Sequence, residues 1–396
     1  MVGISNLTRR ITVSFDSKVR DMNRSKSLLR GLAAATAMLL NLSTAGQAQS
    51  ILDRSDQLPR ANERPLESVD GVRTYYESVE VEPGVRLRVL ISVPAGSDRA
   101  LHPILFTQWV SCDTVELGEG SGGSLGAVAK NSGLALVRVE RSGTGDSQGS
   151  GCDNLDYDTE IQHYISAFTQ ILDHKALDPS KVYVWGDSLG ATTAPLVAVA
   201  LQNAGRDIAA VAVQGGGALT HFERMLNFDR FYLERRSQEV AAASIHSEML
   251  ARVRFHTEYL INQRHPDNIS TDSPAMAAVR SDVRGMSSDN HYGRPFSWHQ
   301  QAAQRNFLAA WATLDAHVLV IFNEYDQFET LHGHRLIVDT VNRLRPDTAN
   351  LVVQPGLGHS SWRFNSIEEA YRDETGIPET ETTAARIVHW LRTLEK

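Results

Sequence analysis

The pentapeptide Gly186-Asp187-Ser188-Leu189-Gly190 constrains this chain more than any other segment, because of what flanks it. Before it runs Lys181-Val182-Tyr183-Val184-Trp185, a short β-branched and aromatic stretch that reads as a buried strand. After it runs Ala191 to Leu201, small and apolar and of helical length. A strand that turns into a helix within five residues bends sharply at the central serine. Glycines two positions either side leave room where side chains would collide. The serine then stands clear of the sheet, at a helix N-terminus that favours a developing negative charge.

The pattern G-x-S-x-G occurs three times, so the pattern alone decides nothing. Gly122-Gly123-Ser124-Leu125-Gly126 follows a glycine-rich stretch that cannot be a strand. Gly145-Asp146-Ser147-Gln148-Gly149 runs into Ser150-Gly151-Cys152, which opens no helix. Context therefore selects Ser188, and Ser124 and Ser147 read as serines of flexible loops.

The rest of the chain alternates strand and helix patterns. A hairpin is expected around Pro83-Gly84, and strands near 103–109, 134–140, 208–213, 317–322 and 350–353. Helices are expected at 158–173, 332–344 and 381–394, the first with Ile161, Tyr164, Ile165, Phe168, Ile171 and Leu172 on one face. Short buried strands alternating with helices mean a mostly parallel central sheet with helices on both faces. Residues 219–313 break the rhythm, and ninety-odd residues are too many for a loop. They read as an inserted helical cap, with a mobile polar middle at about 264–295. His221, His291 and His299 of this cap read as surface residues, with contact to a substrate as the alternative. His332 and His334 read as solvated.

Two later loops complete a pattern. Phe322-Asn323-Glu324-Tyr325-Asp326 ends one strand, and Gly356-Leu357-Gly358-His359 follows the next. The elbow, the G-x-x-D-like turn and the G-x-G-H loop occur in the order Ser, Asp, His. Together they resemble the α/β-hydrolase superfamily over about residues 70–396. Arg138 to Gly149 and Arg294-Pro295-Phe296-Ser297-Trp298-His299-Gln300 look like a group of exported bacterial hydrolases of largely unassigned substrate. The resemblance implies Ser188 as nucleophile, His359 as base and Asp326 as the orienting acid, with Glu324 the rival acid. Asn323 departs from the family pattern, standing where its glycine would be. The oxyanion hole would use the backbone N–H of Leu189 and that of Val110 or Trp109. Gln108-Trp109 occupies the place where many relatives have His-Gly. In that sheet Cys112 and Cys152 would follow adjacent strands and lie in loops at the same end, where a disulfide is expected.

Composition and charge restrict the remaining classes. Arg24, Lys26 and Arg30 precede an apolar run from Gly31 to Leu40, and Gly46-Gln47-Ala48 follows. Residues 1–48 thus read as a secretory signal peptide, with Met22 as an alternative start. The expected domains are 49–218 and 314–396 as the core, with 219–313 as the cap. Localisation is expected to be periplasmic or secreted, with no integral membrane segment in the mature chain. The whole chain carries a formal −8, and residues 1–48 hold seven basic and two acidic residues, leaving −13 for the remainder. No basic tract stands out, so nucleic acid is not an expected partner. The glycine-rich 143–149 lacks the lysine of a phosphate loop. No metal-ligand spacing and no cofactor motif occur.

The expected activity is a serine hydrolase cleaving a carboxylic ester through an acyl-enzyme, acting on a small ester or short peptide. Alternatives are a peptidase or amidase with the same triad, and a catalytically silent binding protein on this fold.

Overall fold

A computed structural model describes residues 49–52, 58–61, 65–118, 120, 122–236, 241–372 and 375–395. The signal-peptide reading lies outside the described residues. The first part of the chain gives strands β1 (Gln49–Leu52), β2 (Val72–Glu82), β3 (Val85–Pro94), β4 (Pro103–Thr107), β5 (Ala135–Val139), β6 (Val182–Asp187) and β7 (Ile208–Gln214). Helices α1 (Gly123–Asn131), α2 (Tyr157–Ile171) and α3 (Gly190–Asn203) lie between them. An insert follows, with α4 (His221–Arg236), α5 (Ala242–His256), α6 (Pro266–Ser270), α7 (Pro274–Asp282), the two-residue strands β8 (Asn290–His291) and β9 (Arg294–Pro295), α8 (Phe296–Ala303) and α9 (Phe307–Thr313). The chain then returns through β10 (His317–Asn323), α10 (Leu331–Leu344) and β11 (Ala349–Gln354). It ends with β12 (Trp362–Arg363), α11 (Ile367–Tyr371), β13 (Ile377–Pro378) and α12 (Thr380–Leu394).

Nine strands form one sheet in the order β1-β2-β3-β5-β4-β6-β7-β10-β11. Only β3 runs against its neighbours in it, pairing antiparallel with β2 and β5. Strands β3, β4, β5, β6, β7 and β10 are buried on both faces, and their two-residue period splits the apolar side chains between two cores. Val182, Val184, Val211, Val213, Val318 and Val320 face α2, α3 and α10. Tyr183, Trp185, Ala210, Ala212, Leu319 and Ile321 face α1 and α12. Helices thus cover both faces, and the chain has the α/β-hydrolase fold. The register sets Thr107 opposite Gly186 and Asp187 opposite Gln214, while Asn323 pairs with Gln354. The parallel strands therefore end along one edge, where loops converge on a common site.

Three expectations are corrected. The middle of the insert is built, not loose: α6, α7 and the β8–β9 hairpin bury Ile269, Met276, Val279 and Val283 in a core with Phe255, Tyr259 and Phe296. Two prolines at helix starts and Ser273 as an N-cap explain how so polar a stretch forms helices. His221, His291, His299 and His334 are buried rather than on the surface. Ser147 is no flexible-loop serine, for its Oγ donates to the Glu140 carbonyl and accepts from the Arg88 N–H, both at 2.8 Å. Ser124 lies in the first turn of α1, a helix that its glycines hid.

Candidate active site

At the elbow, β6 passes into α3 through Ser188, whose φ of 54° is a left-handed value that side chains seldom adopt. The flanking glycines are needed for a plain steric reason. A Cβ on Gly186 would come within 2.3 Å of the Gly190 carbonyl oxygen, and one on Gly190 within 1.9 Å of the Thr107 oxygen. The turn presses that close against β4 and leaves Ser188 only partly covered.

Ser188, His359 and Asp326 meet although 171 residues separate the first pair. The serine Oγ lies 2.9 Å from His359 Nε2, and His359 Nδ1 lies 2.8 Å from Asp326 Oδ2. The other oxygen of Asp326 accepts the N–H groups of Phe328 and Glu329, each at 2.8 Å. That carboxylate is wholly buried. Burial opposes its charge, but the His359 ring and these donors hold its pKa below the ordinary value. Burial likewise opposes a charged His359. The adjoining Asp326, with Glu329 and Asp187 behind it, prevails and raises the histidine to about 9. Asp187 is raised to about 6, by burial and then by Asp326, with His359 opposing.

Asn323 explains the departure from the expected turn. It is fully buried, and its Nδ2 donates to the Gly358 carbonyl at 2.7 Å while its Oδ1 accepts from Gln354 at 2.8 Å. The Asp326 N–H closes the turn on the Asn323 carbonyl at 3.0 Å. A glycine there would remove this link between the acid's turn and the histidine loop. Glu324, the rival acid, is exposed and accepts from the Gly356 N–H at 2.9 Å, away from the imidazole.

Ser188 and His359 open into a cavity of about 440 Å³ whose apolar wall includes Trp109, Val110, Met225, Phe228, Trp298 and Phe328. The oxyanion candidates Leu189, Trp109 and Val110 all line it. Met225, Phe228 and Trp298 come from the insert, so the core supplies the reacting groups and the insert much of the wall. His221 and Arg224 also face the cavity. Arg224 is ion-paired to Glu329 through its Nε at 2.7 Å, joining α4 to the loop that carries the acid. His221, His299 and His291 form a chain. His299 Nε2 donates to the His291 carbonyl at 2.7 Å, and His221 Nε2 lies 2.9 Å from His299 Nδ1. Burial pushes all three down, His291 to about 3, so the chain is uncharged at neutral pH. The elbow spacing carried no signal for these insert residues, because nothing in the sequence fixes which face of α4 or α8 turns inward.

Cys112 and Cys152 form a disulfide with Cα atoms 5.6 Å apart, closing the loop after β4 against the one after β5. Among the described residues no group of metal-ligating side chains could hold an ion, and no helix is long and apolar enough to cross a membrane.

No family model and no curated protein matches the sequence. Solved structures of similar shape include a proline iminopeptidase of Mycobacterium smegmatis, 16% identical, covering 81% of this chain and 98% of that one, with a TM-score of 0.48. An esterase of the archaeon Pyrobaculum calidifontis is 15% identical, covering 84% and 87%, at 0.47. A Butyrivibrio proteoclasticus protein seen with ferulic acid is 11% identical, covering 80% and 98%, at 0.49. Likeness this distant says nothing about substrate.

Proposed function

We propose that the protein is a serine hydrolase that cleaves carboxylic esters through an acyl-enzyme. The observation that carries this is the continuous hydrogen-bonded chain from Ser188 through His359 to Asp326, with the serine at a strained turn facing an apolar cavity. His359 Nε2 accepts the Ser188 proton as Oγ attacks the substrate carbonyl. The carbonyl oxygen becomes negative and is received by the N–H of Leu189 and that of Val110 or Trp109. His359 then passes the proton to the departing alkoxide, which leaves as alcohol. Water repeats the sequence and releases the acid. Asp326 holds the imidazole in the tautomer that presents a bare Nε2.

An ester fits better than an amide. The cavity wall is mainly apolar, and among the described residues the carboxylate lining it is Asp187, next to the nucleophile. Residues 219–313 act as a cap over this cavity. The disulfide suits an oxidising compartment, in keeping with export to the periplasm or beyond.

A fluorophosphonate probe should label Ser188 alone, and Ser188→Ala should abolish both labelling and hydrolysis of p-nitrophenyl esters. A label mapped to Ser124 or Ser147 would overturn the assignment. Aminoacyl-nitroanilides cleaved with a kcat/KM comparable to esters would move the class to peptidase.

A further inference from the structure

We infer that Arg294 of the insert and Arg141 of the core are positioning residues for the oxyanion hole, so that the hole is complete only while the insert is seated. This rests on the reading of Ser188 as the nucleophile. Four consecutive carbonyls at the end of β4 turn toward these two side chains. Arg141 Nη2 donates to the carbonyls of Gln108 at 3.0 Å and Trp109 at 2.5 Å, and its Nη1 donates to that of Ser111 at 2.7 Å. Arg294 Nε takes the one between, Val110, at 2.9 Å, and Arg294 Nη1 takes the Cys152 carbonyl at 2.9 Å.

Peptide planarity gives this arrangement its consequence. In a trans peptide the N–H points opposite to the carbonyl of the preceding residue, and the chain has no cis peptide. With the carbonyls of Gln108 and Trp109 turned to Arg141, the N–H groups of Trp109 and Val110 point away from it. Trp109 and Val110 line the cavity that holds Ser188. Neither N–H has an acceptor among the described residues. Both are open donors on residues that line the cavity beside the nucleophile.

A buried charge imbalance keeps the loop this way. Arg141, Arg294 and Glu160 are each at most 3% exposed. Glu160 Oε1 lies 2.7 Å from Arg141 Nε, and its Oε2 lies 3.2 Å from Arg294 Nη1 and 3.0 Å from Trp298 Nε1, which donates to it. Two guanidinium groups face one buried carboxylate, with the exposed Asp153 as the further carboxylate acting on Arg294, so positive charge is left over out of water. Five carbonyl dipoles take it up, and they can do so only with the loop in this orientation. Two of the groups that lock it, Arg294 and Trp298, come from the insert.

The test is Arg294→Lys, which keeps the charge but has no planar fork to hold Glu160, Val110 and Cys152 together. With the fold checked by circular dichroism, kcat for a p-nitrophenyl ester should fall by about 10²–10³-fold with KM little changed, the loss typical of a missing oxyanion donor. The affinity for a trifluoromethyl ketone, whose adduct places an oxyanion in the hole, should fall in the same proportion as kcat/KM. Trp298→Phe is the milder second variant, should Arg294→Lys fail to fold. It removes one Glu160 bond, and kcat and inhibitor affinity should again drop together, by several fold. Unchanged kcat and inhibitor affinity in a folded variant, or a loss confined to KM, would overturn the inference while Ser188→Ala remains inactive. If Ser188→Ala retained activity, the site itself would be misassigned and this inference would fall with it.

Discussion

The two sides of Ser188 are built by different means. On the base side, Asp326 and His359 sit on loops after β10 and β11, and neutral groups fix them: Asn323, Gln354, Ser361 and Thr383 bond one another within the core. On the oxyanion side, the loop after β4 is fixed by buried ions and a disulfide, and one of those ions belongs to the insert. The base side is thus held mainly by neutral bonds within the core, with the Arg224–Glu329 ion pair reaching its loop from the insert. The oxyanion side depends on a second layer of structure being in place. A hydrolase arranged this way can keep its nucleophile permanently hydrogen-bonded and still make turnover answer to the segment that shapes the substrate cavity.

The largest effect should come from breaking the base side at its acid. Asp326→Asn keeps the shape and an acceptor for the Phe328 and Glu329 N–H groups, but presents the wrong partner to His359 Nδ1. We expect kcat to fall about 10⁴-fold with the fold retained. Steady-state kinetics beside a urea melt would show it, and a loss below tenfold would mean that something else orients the imidazole.

The next effect belongs to the oxyanion side. The Cys112–Cys152 bridge spans 40 residues of sequence, and in the chain-entropy picture its removal costs about 4 kcal/mol. A Cys112→Ser, Cys152→Ser double variant should show that loss in urea unfolding. It should also lower kcat, because Cys112 ends the loop whose carbonyls meet Arg141 and Arg294. Full activity in a destabilised variant would show that the ions hold the loop without the disulfide.

The same contrast explains what could be read from the sequence. The elbow was legible because its requirement is local: Ser188 turns with a φ of 54°, and a Cβ at 186 or 190 would come within 2.3 or 1.9 Å of a backbone oxygen, which leaves only glycine at those two positions. Ser188, Asp326 and His359 were each marked by a strand end and a loop, and the structure brings these three together. The Cys112–Cys152 pairing followed from strand adjacency. Glu160, Arg141 and Arg294 were not legible as a group. A lone glutamate within an amphipathic helix looks like a solvated charge, and only the packed insert shows that it is buried between two arginines. The polar middle of the insert misled for a related reason. Its apolar residues are sparse, and Ile269, Met276 and Val279 become a core only when α5 and α8 cover them.

A smaller effect concerns the charge around the base. His359 acts as acceptor only when neutral, and its pKa is raised to about 9 chiefly by Asp326, against the opposing effect of burial. The ascending limb of kcat/KM against pH should therefore lie near 9, well above the value of a free imidazole. Asp187 is one of the carboxylates favouring the imidazolium. Asp187→Asn removes that charge, so the protonated form loses support, the pKa falls, and the limb moves to lower pH by a fraction of a unit. Arg294→Lys should leave the limb where it is, because it acts on the other side of the serine. A shared shift would join the two sides electrostatically and weaken the comparison.

The smallest effect is expected at Glu324, two residues before Asp326 on the same loop. Its side chain is exposed and accepts from the Gly356 N–H at 2.9 Å, a bond that the carbonyl of a glutamine can also accept. Its charge is screened by water, so it adds little to the field at the imidazole. Glu324→Gln should keep kcat within about twofold of the parent and move the pH limb less than Asp187→Asn does. The outcome discriminates because the two candidates differ in burial rather than in chemistry. Were Glu324→Gln to cost more than tenfold while Asp326→Asn cost little, the acid would lie on the solvent face of the loop. The base side would then no longer be the half of the site held mainly by the core.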